Sequence, residues 1–507
     1  MSVLRRVDDE FTGLPLAALA DAALSGARRL GAEHADLRVE RVRSRALSLR
    51  DTQLETTQDE ETTGIAVRVV VDGTWGFAAG RALDPAAAAQ LTERAVAVAR
   101  ACRAANAEPV ELAPEPTYPD ATWVSAYTLD PFAVPTGDAV ALLAARNAGL
   151  LAAAGVVHAD GSMHLVKEQK FYADLTGTTT TQQRVRVAGS HTALWVDPAC
   201  GRFETLRTLA PPVGRGYEWF TGSDSSCWDW DAELAELPAL LVEKAHAPSV
   251  AAGHYDLVID PSNLWLTIHE SVGHATELDR ALGYEANYAG TSFATVDRLG
   301  TLQYGSPLMT VTGDRTAEHG LASAGFDDEG VATQTWDLVR DGVLVGYQLD
   351  RRMAARLGLE RSNGCAFADA PYHVPIQRMA NVSLRPAADG PSTEDLIGAV
   401  DRGIYVVGDR SWSIDMQRYN FQFTGQRFYA ITGGRISGPL RDVAYQATTT
   451  DFWGSLAALG GPQTYVLGGA LNCGKGQPGQ VAPVSHGCPS AIFRGVRVLN
   501  TVDEAGR

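Results

Sequence analysis

The hydrophobic pattern changes period twice in the first half of the chain, in the same order each time. Residues 15–32 (PLAALADAALSGARRLGA) space leucine and alanine as on one helical face. From 36 to 77 the pattern turns to short alternating runs, DLRVERV, ALSLRD, GIAVRVVVDG and TWGF, which predict a meander of antiparallel strands. An Ala-rich helix is predicted over 84–104, followed by the Pro-rich connection AEPVELAPEPTYPDA. The sequence then repeats the order. A helix is predicted over 136–154, and VVHADGSMHLV, KFYADL, TTTQQRVRVAGS and RFETLRTL predict strands. A further helix over 231–246 leads to APSVAAG at 247–253, a small-residue stretch suited to a domain boundary.

Beyond this boundary, 255–259 predicts a short strand, and Asp260-Pro261-Ser262 reads as a helix start with Ser262 as the cap. The helix is expected to run from 263 to about 282. TWDLVRDGVLVGYQL predicts a hairpin closing at Arg340-Asp341-Gly342. More strand is expected over 403–429 and 465–467, and the Gly-rich stretch 454–487 predicts extended loops lying close to other backbone. The expected class is α/β (α+β): an N-terminal domain of helices and antiparallel meanders, 1–247, and a strand-rich C-terminal domain, 248–507.

The chemistry concentrates in TIHESVGHATE. Zinc peptidases with H-E-x-x-H place two histidines four apart on a helix. His269 and His274 are five apart, which on a regular helix leaves the rings roughly 140° apart. A π-bulge absorbs one residue and restores a common face, and Gly273 is expected to tolerate the distortion. The preceding LWLTI makes the helix apolar on nearly every side. A glutamate between two histidines there is costly unless paired or metal-bound.

A third ligand is open at this level. Glu277 and Asp279 lie close but read as salt-bridge or surface residues. His254, His373 and His486 are possible, and Cys473, flanked by glycines in GGALNCGKGQPGQ, offers a thiolate. Cys488 serves as its comparison, and by composition alone either cysteine reads first as an inert buried thiol. Asp327, Asp328 and Glu329 in FDDEGVATQ read by default as a solvated turn before a strand, with groups that orient a histidine or ligands for a hard cation as the alternatives.

Composition adds mainly exclusions. The 507 residues are 45% hydrophobic and 20% charged, with net charge −17. The absence of any long basic run disfavours nucleic acid. MSVLRRVDDEFTG lacks the apolar core of a secretory signal, and no apolar run nears the ~20 residues of a membrane span. Six dispersed cysteines suit a reducing cytoplasm, the expected location.

HESVGHATELDRA (269–281), FDDEGVATQ (326–334), DLVRDGVLVGYQLDRR (337–352) and LNCGKGQPGQ (471–480) together resemble the TldD/PmbA family of metalloproteases, in its metal-binding, TldD-like branch. The resemblance implies zinc held by His269, His274 and Cys473, with Glu270 as the catalytic base. It also implies an extended or unfolded peptide substrate bound by backbone strand addition. The expected partner is a second copy, or a metal-free PmbA-like homologue. Three alternatives stand beside this: a biosynthetic metalloenzyme acting on a small peptide-like metabolite, a non-catalytic peptide-binding scaffold, and a purely structural zinc, which would need a fourth protein ligand.

Overall fold

Residues 6–222, 226–476 and 479–506 are described by a computed structural model. Residues 1–5 of the N-terminal stretch, and Gln477 and Pro478 of LNCGKGQPGQ, lie outside the described residues. The N-terminal half is built on one mixed sheet. Its centre is two long hairpins side by side, His34–Arg50 with Gln53–Val71 and His158–Asp174 with Thr179–Val196. Thr74–Gly80 and Ala121–Val124 flank them, and Phe203–Arg207 adds to Thr179–Val196. DLRVERV and ALSLRD thus belong to one strand, as do VVHADGSMHLV and KFYADL. The polar residues between the runs carry no turn chemistry, and pairing on both sides draws them into the ladder.

Leu16–Arg29 and Pro85–Cys102 cover the first hairpin with an apolar core around Phe11, Leu19, Leu37 and Val67. Thr136–Leu151 and Trp230–His246 cover the second. The doubled helix-and-meander pattern therefore becomes two like units merged into one sheet. No described helix is long and apolar enough to cross a membrane.

In the C-terminal half, Arg402–Ile414, Gly253–Ile259, Ala491–Asn500, Val443–Thr448 and Asn420–Thr432 pair in that order. A further pairing of the first with the last closes the ring. Closure removes the free edges an open sheet would expose. The strand expected over 403–429 is present as two of these strands, joined by a turn at 415–419. The Gly-rich C-terminal stretch is mostly strand rather than loop: Val466–Gly476 and Gly479–Cys488 form a two-stranded ribbon. Its glycines do serve close approach. A Cβ on Gly468 would meet the Trp265 side chain at 2.7 Å, so the ribbon lies flat on the helix carrying the histidines.

The two halves meet through buried charge, and FDDEG is not a solvated turn. Asp328 accepts from Lys170 at 2.8 Å and lies 3.4 Å from Arg38, while Glu329 pairs with Arg68 at 3.0 Å. Asp327 accepts three backbone N–H groups, from Glu329, Val331 and Ala366. All three carboxylates are buried, and the cations of Asp328 and Glu329 come from strands of the N-terminal sheet.

Candidate metal centre

The histidine helix starts two residues earlier than expected from a Ser262 cap. Asp260 is the cap and accepts from the Ser262 backbone N–H at 2.9 Å. Pro261 explains the shift: it has no N–H to offer and its fixed φ suits the first helical position. Regular α-helix covers Pro261–Ile268, and a single π turn follows over His269–Gly273. The five-residue separation is absorbed there, and the rings of His269 and His274 meet with centroids 4.7 Å apart.

A π turn displaces backbone carbonyls from the regular ladder, and those must find other donors. Tyr304 Oη donates to the Ser271 carbonyl, and Gln348 Nε2 donates to the Gly273 carbonyl at 2.6 Å. Gly273 itself has φ −54° and ψ −60°, open to any residue. The position needs glycine for space rather than freedom, since a Cβ would meet Met379 Sδ at 2.5 Å and Cε at 2.9 Å.

The helix also ends sooner than predicted. His274–Thr276 is a 3-10 turn, and Glu277 is extended, so the element expected to reach 282 is broken. Glu277 is fully buried, not a surface residue. Its carboxylate accepts from His274 Nδ1 at 2.8 Å and Lys475 Nζ at 3.0 Å, and its backbone bridges to Gln348. Those tertiary bonds outweigh helix continuation. Burial opposes its charge, but Lys475 and His274 hold the carboxyl well below its usual range. Asp279 takes a third side of Lys475, at 2.8 Å.

These partners fix the histidine tautomers. The carboxylate of Glu277 requires the proton on His274 Nδ1 and leaves Nε2 with its lone pair, 3.5 Å from Cys473 Sγ. On the other side, His486 Nδ1 lies 2.9 Å from the Val382 carbonyl, which only accepts. His486 Nε2 is therefore the acceptor for His269 Nδ1–H at 2.7 Å, and His269 Nε2 is also left free. Burial lowers the pKa of His269 and drives that of His486 well down, keeping both rings neutral. His486, weighed as a ligand, instead supports one.

Cys473 enters from the ribbon, where a bulge between Ala470 and Cys473 re-aims the strand. Arg378 clamps this turn of chain, donating to the carbonyls of Cys473 at 2.5 Å and Gln480 at 3.1 Å. Burial alone would raise the thiol's pKa. The His274 ring, when protonated, and Arg378 reverse this and lower it toward thiolate. One ligand atom each from His269, His274 and Cys473 lies within 4.8 Å of the others, all three residues buried. Two neutral imidazole nitrogens and a thiolate suit zinc, with a tetrahedral position left over.

The remaining candidates stay apart from this group. His254 is exposed on a barrel strand opposite Arg497, and His373 pairs with Asp369. Cys488 is a buried thiol facing the Pro261 carbonyl, its pKa raised well above the ordinary value by burial. Glu270 is buried beside the donor set, and Arg418 Nη1 reaches its Oε2 at 2.5 Å. Burial would raise the Glu270 pKa, but the imidazoles of His269 and His274 when protonated, and the Arg418 guanidinium, bring it below the usual range. Sequence reasoning missed Arg418, which sits 148 residues away in a turn with no motif.

Residues 252–500 match the family description "PmbA/TldA metallopeptidase C-terminal domain", and residues 35–99 match "PmbA/TldA metallopeptidase domain 1". The chain belongs to the PmbA/TldD family. A protein of Methanothermobacter thermautotrophicus named a metalloprotease is 27% identical over 475 residues, 92% of this chain and 96% of its own. A Synechocystis metalloprotease is 28% identical over 94% of this chain and 96% of its own. A Saccharolobus solfataricus protein named a zinc metalloprotease TldD homologue is 23% identical over 54% of this chain and 57% of its own. The fold is also that of solved PmbA/TldD-like structures. TldE from Thermococcus kodakarensis superimposes with a TM-score of 0.69 at 15% identity, covering 95% of this chain and 99% of its own. A Thermotoga maritima protein named for modulation of DNA gyrase superimposes at 0.74, with 15% identity, over 95% and 100%.

Proposed function

We propose that this PmbA/TldD protein is a zinc-dependent peptidase acting on extended or unfolded peptides. The observation carrying this reading is the convergence of His269 Nε2, His274 Nε2 and Cys473 Sγ beside the buried carboxylate of Glu270. Zinc bound there would supply a Lewis acid for the scissile carbonyl and make a water more acidic. Glu270 takes the proton from the attacking water and delivers it to the departing amide nitrogen. Glu277 and His486 hold the two imidazoles in the ligand tautomer, and Lys475 keeps Glu277 charged.

A peptide main chain added along the ribbon that carries Cys473 would bring its carbonyls to this group. The ribbon has two strands and no third partner among the described residues, which supports strand addition as the binding mode. Assembly with a second copy or a metal-free homologue, and a cytoplasmic location, belong to the same proposal.

The test joins metal content to turnover. Wild type is expected to bind one zinc per chain and cleave a denatured protein. H269A, H274A and C473S should lose the zinc, while E270Q should keep it and lose cleavage. Full zinc occupancy in C473S would reject the ligand set. Turnover by E270Q equal to wild type would reject the catalytic role. Cleavage of short peptides or peptide-like metabolites alone would favour a biosynthetic enzyme.

A further inference from the structure

Beside the ribbon that carries Cys473, four arginines line a small cavity. Arg184 and Arg186 come from the Thr179–Val196 strand of the N-terminal sheet, whereas Arg315 and Arg378 belong to the C-terminal half. All four are more than nine-tenths buried. Guanidinium groups stay protonated in proteins, so this is a concentration of charge that burial penalises unless something answers it.

The protein answers it incompletely. Among the described residues, Glu168 is the one carboxylate in ion-pair contact with any of the four, and it is shared. It meets both Arg184 and Arg186, the latter at 3.2 Å, and Lys170 at 3.5 Å as well. Arg378 spends its two Nη groups on the carbonyls of Cys473 and Gln480. Among the described residues, Arg315 Nε has no hydrogen-bond partner and its side chain is in no ion pair. Buried N–H groups at Arg186 Nη2, Arg315 Nε and Arg378 Nε have no acceptor. Crowding shows in Arg186, whose pKa falls to about 10 from burial and the adjacent Arg184. Three unsatisfied donors on three cationic side chains around one cavity is far from the usual condition of a protein interior.

We infer that this cavity is a binding site for a small monatomic anion of the size of chloride. The space is about 190 Å³ of atom-free volume, but its centre admits little more than one water-sized body. A polyatomic oxyanion is too large for it. A lone water could satisfy hydrogen bonds but not the charge. The anion would join the two halves, because its donors come from both. It would also sit against the metal centre: Ala482 on the cavity wall pairs with Cys473, and Met379 on the same wall packs against Gly273.

The test needs neither bound zinc nor a substrate. Thermal unfolding of the full chain is followed in sodium chloride, bromide, sulfate and gluconate at equal ionic strength, for wild type and R315Q. Arg315 is the variant of choice because, among the described residues, its side chain is in no ion pair. Wild type should show a saturable rise in melting temperature with chloride and bromide that R315Q lacks. In gluconate the order should reverse, R315Q melting above wild type because a buried uncompensated charge is gone. Sulfate should raise both proteins alike, through general exclusion from the surface. Crystals soaked in bromide should show an anomalous peak among the four guanidiniums. Equal salt responses in both proteins, with ordered water and no bromide in the cavity, would overturn the site. An Arg315-dependent response to sulfate alone would overturn its assignment to a monatomic anion.

Discussion

Arg418 Nη1 lies 2.5 Å from Glu270 Oε2, and the residue that makes this contact has φ +63°. A non-glycine side chain in the left-handed region costs roughly 1–2 kcal/mol. The turn at 415–419 accepts that strain and delivers a cation to the proposed base. A carboxylate so paired is kept ionised but is a weaker proton acceptor, so the pair must loosen as the proton moves.

Replacing Arg418 tests both its stability role and its catalytic role. R418G relieves the strain but leaves the buried Glu270 carboxylate without its cation, so its melting temperature should fall below that of wild type. Its peptidase activity should fall by about tenfold or more, and the acid limb of kcat/KM should move to higher pH because Glu270 loses an ionising neighbour. R418K should return the limb toward wild type. An unmoved limb in R418G would leave Arg418 with a structural role only.

His486 reaches the donor set only through His269. With the Val382 carbonyl fixing its proton, it acts as a neutral acceptor that orients the ligand ring. H486F should weaken zinc binding by about 10–100-fold, the usual effect of removing a ligand's hydrogen-bond partner. H486Q, whose amide oxygen can accept from His269, should recover part of it. Chelator competition reads the affinity directly. Equal affinity in H486F and wild type would show that packing alone orients His269.

The spacing of HESVGH carried the need for a helical irregularity, because two side chains five apart on a straight helix diverge. The residues that complete the site are much less visible. Cys473 is one of six dispersed cysteines, singled out by its glycine neighbours and family resemblance, not by periodicity. Arg418 and His486 reach the site through long-range sheet topology, which no local pattern encodes. Polar residues were the main source of error. FDDEG reads by default as a solvated turn, and Glu277 is open between salt bridge and surface, because their cations, Lys475, Lys170, Arg38 and Arg68, lie far away in sequence. The doubled helix-and-meander pattern was legible because it is local.

Gly273 gives a packing test of the π turn. G273A places a methyl where Met379 Sδ now sits, and Met379 is itself buried. Overpacking of this kind costs about 1–3 kcal/mol. Both stability and zinc affinity should fall in G273A, since the methyl presses on the turn that aligns the rings. M379A opens the space, so the double variant should regain much of the loss despite removing a core side chain. If G273A and M379A were additive in melting temperature, the contact would not be what excludes a Cβ.

Glu40 allows a pH test of the seam between the halves. It is fully buried, neither carboxylate oxygen makes a hydrogen bond, and its ion contacts are long: 3.3 Å to Arg38 Nε and 3.4 Å to Lys170 Nζ. Burial raises its pKa, and Lys170 and Arg38 only partly pull it back, leaving it at about 7 against an ordinary value of 4.5. The folded chain therefore keeps a proton that the unfolded chain releases. This stabilising contribution is complete below about pH 4.5 and fades as pH rises to about 7, for a total on the order of 3 kcal/mol. E40Q resembles the protonated form and cannot titrate. Its stability should equal that of wild type near pH 4.5 and exceed it at pH 8, by an amount that unfolding midpoints at the two pH values can read. A difference between the proteins that stays constant from pH 4.5 to 8 would mean that Arg38 and Lys170 keep Glu40 ionised throughout, and that the seam is a fully charged network.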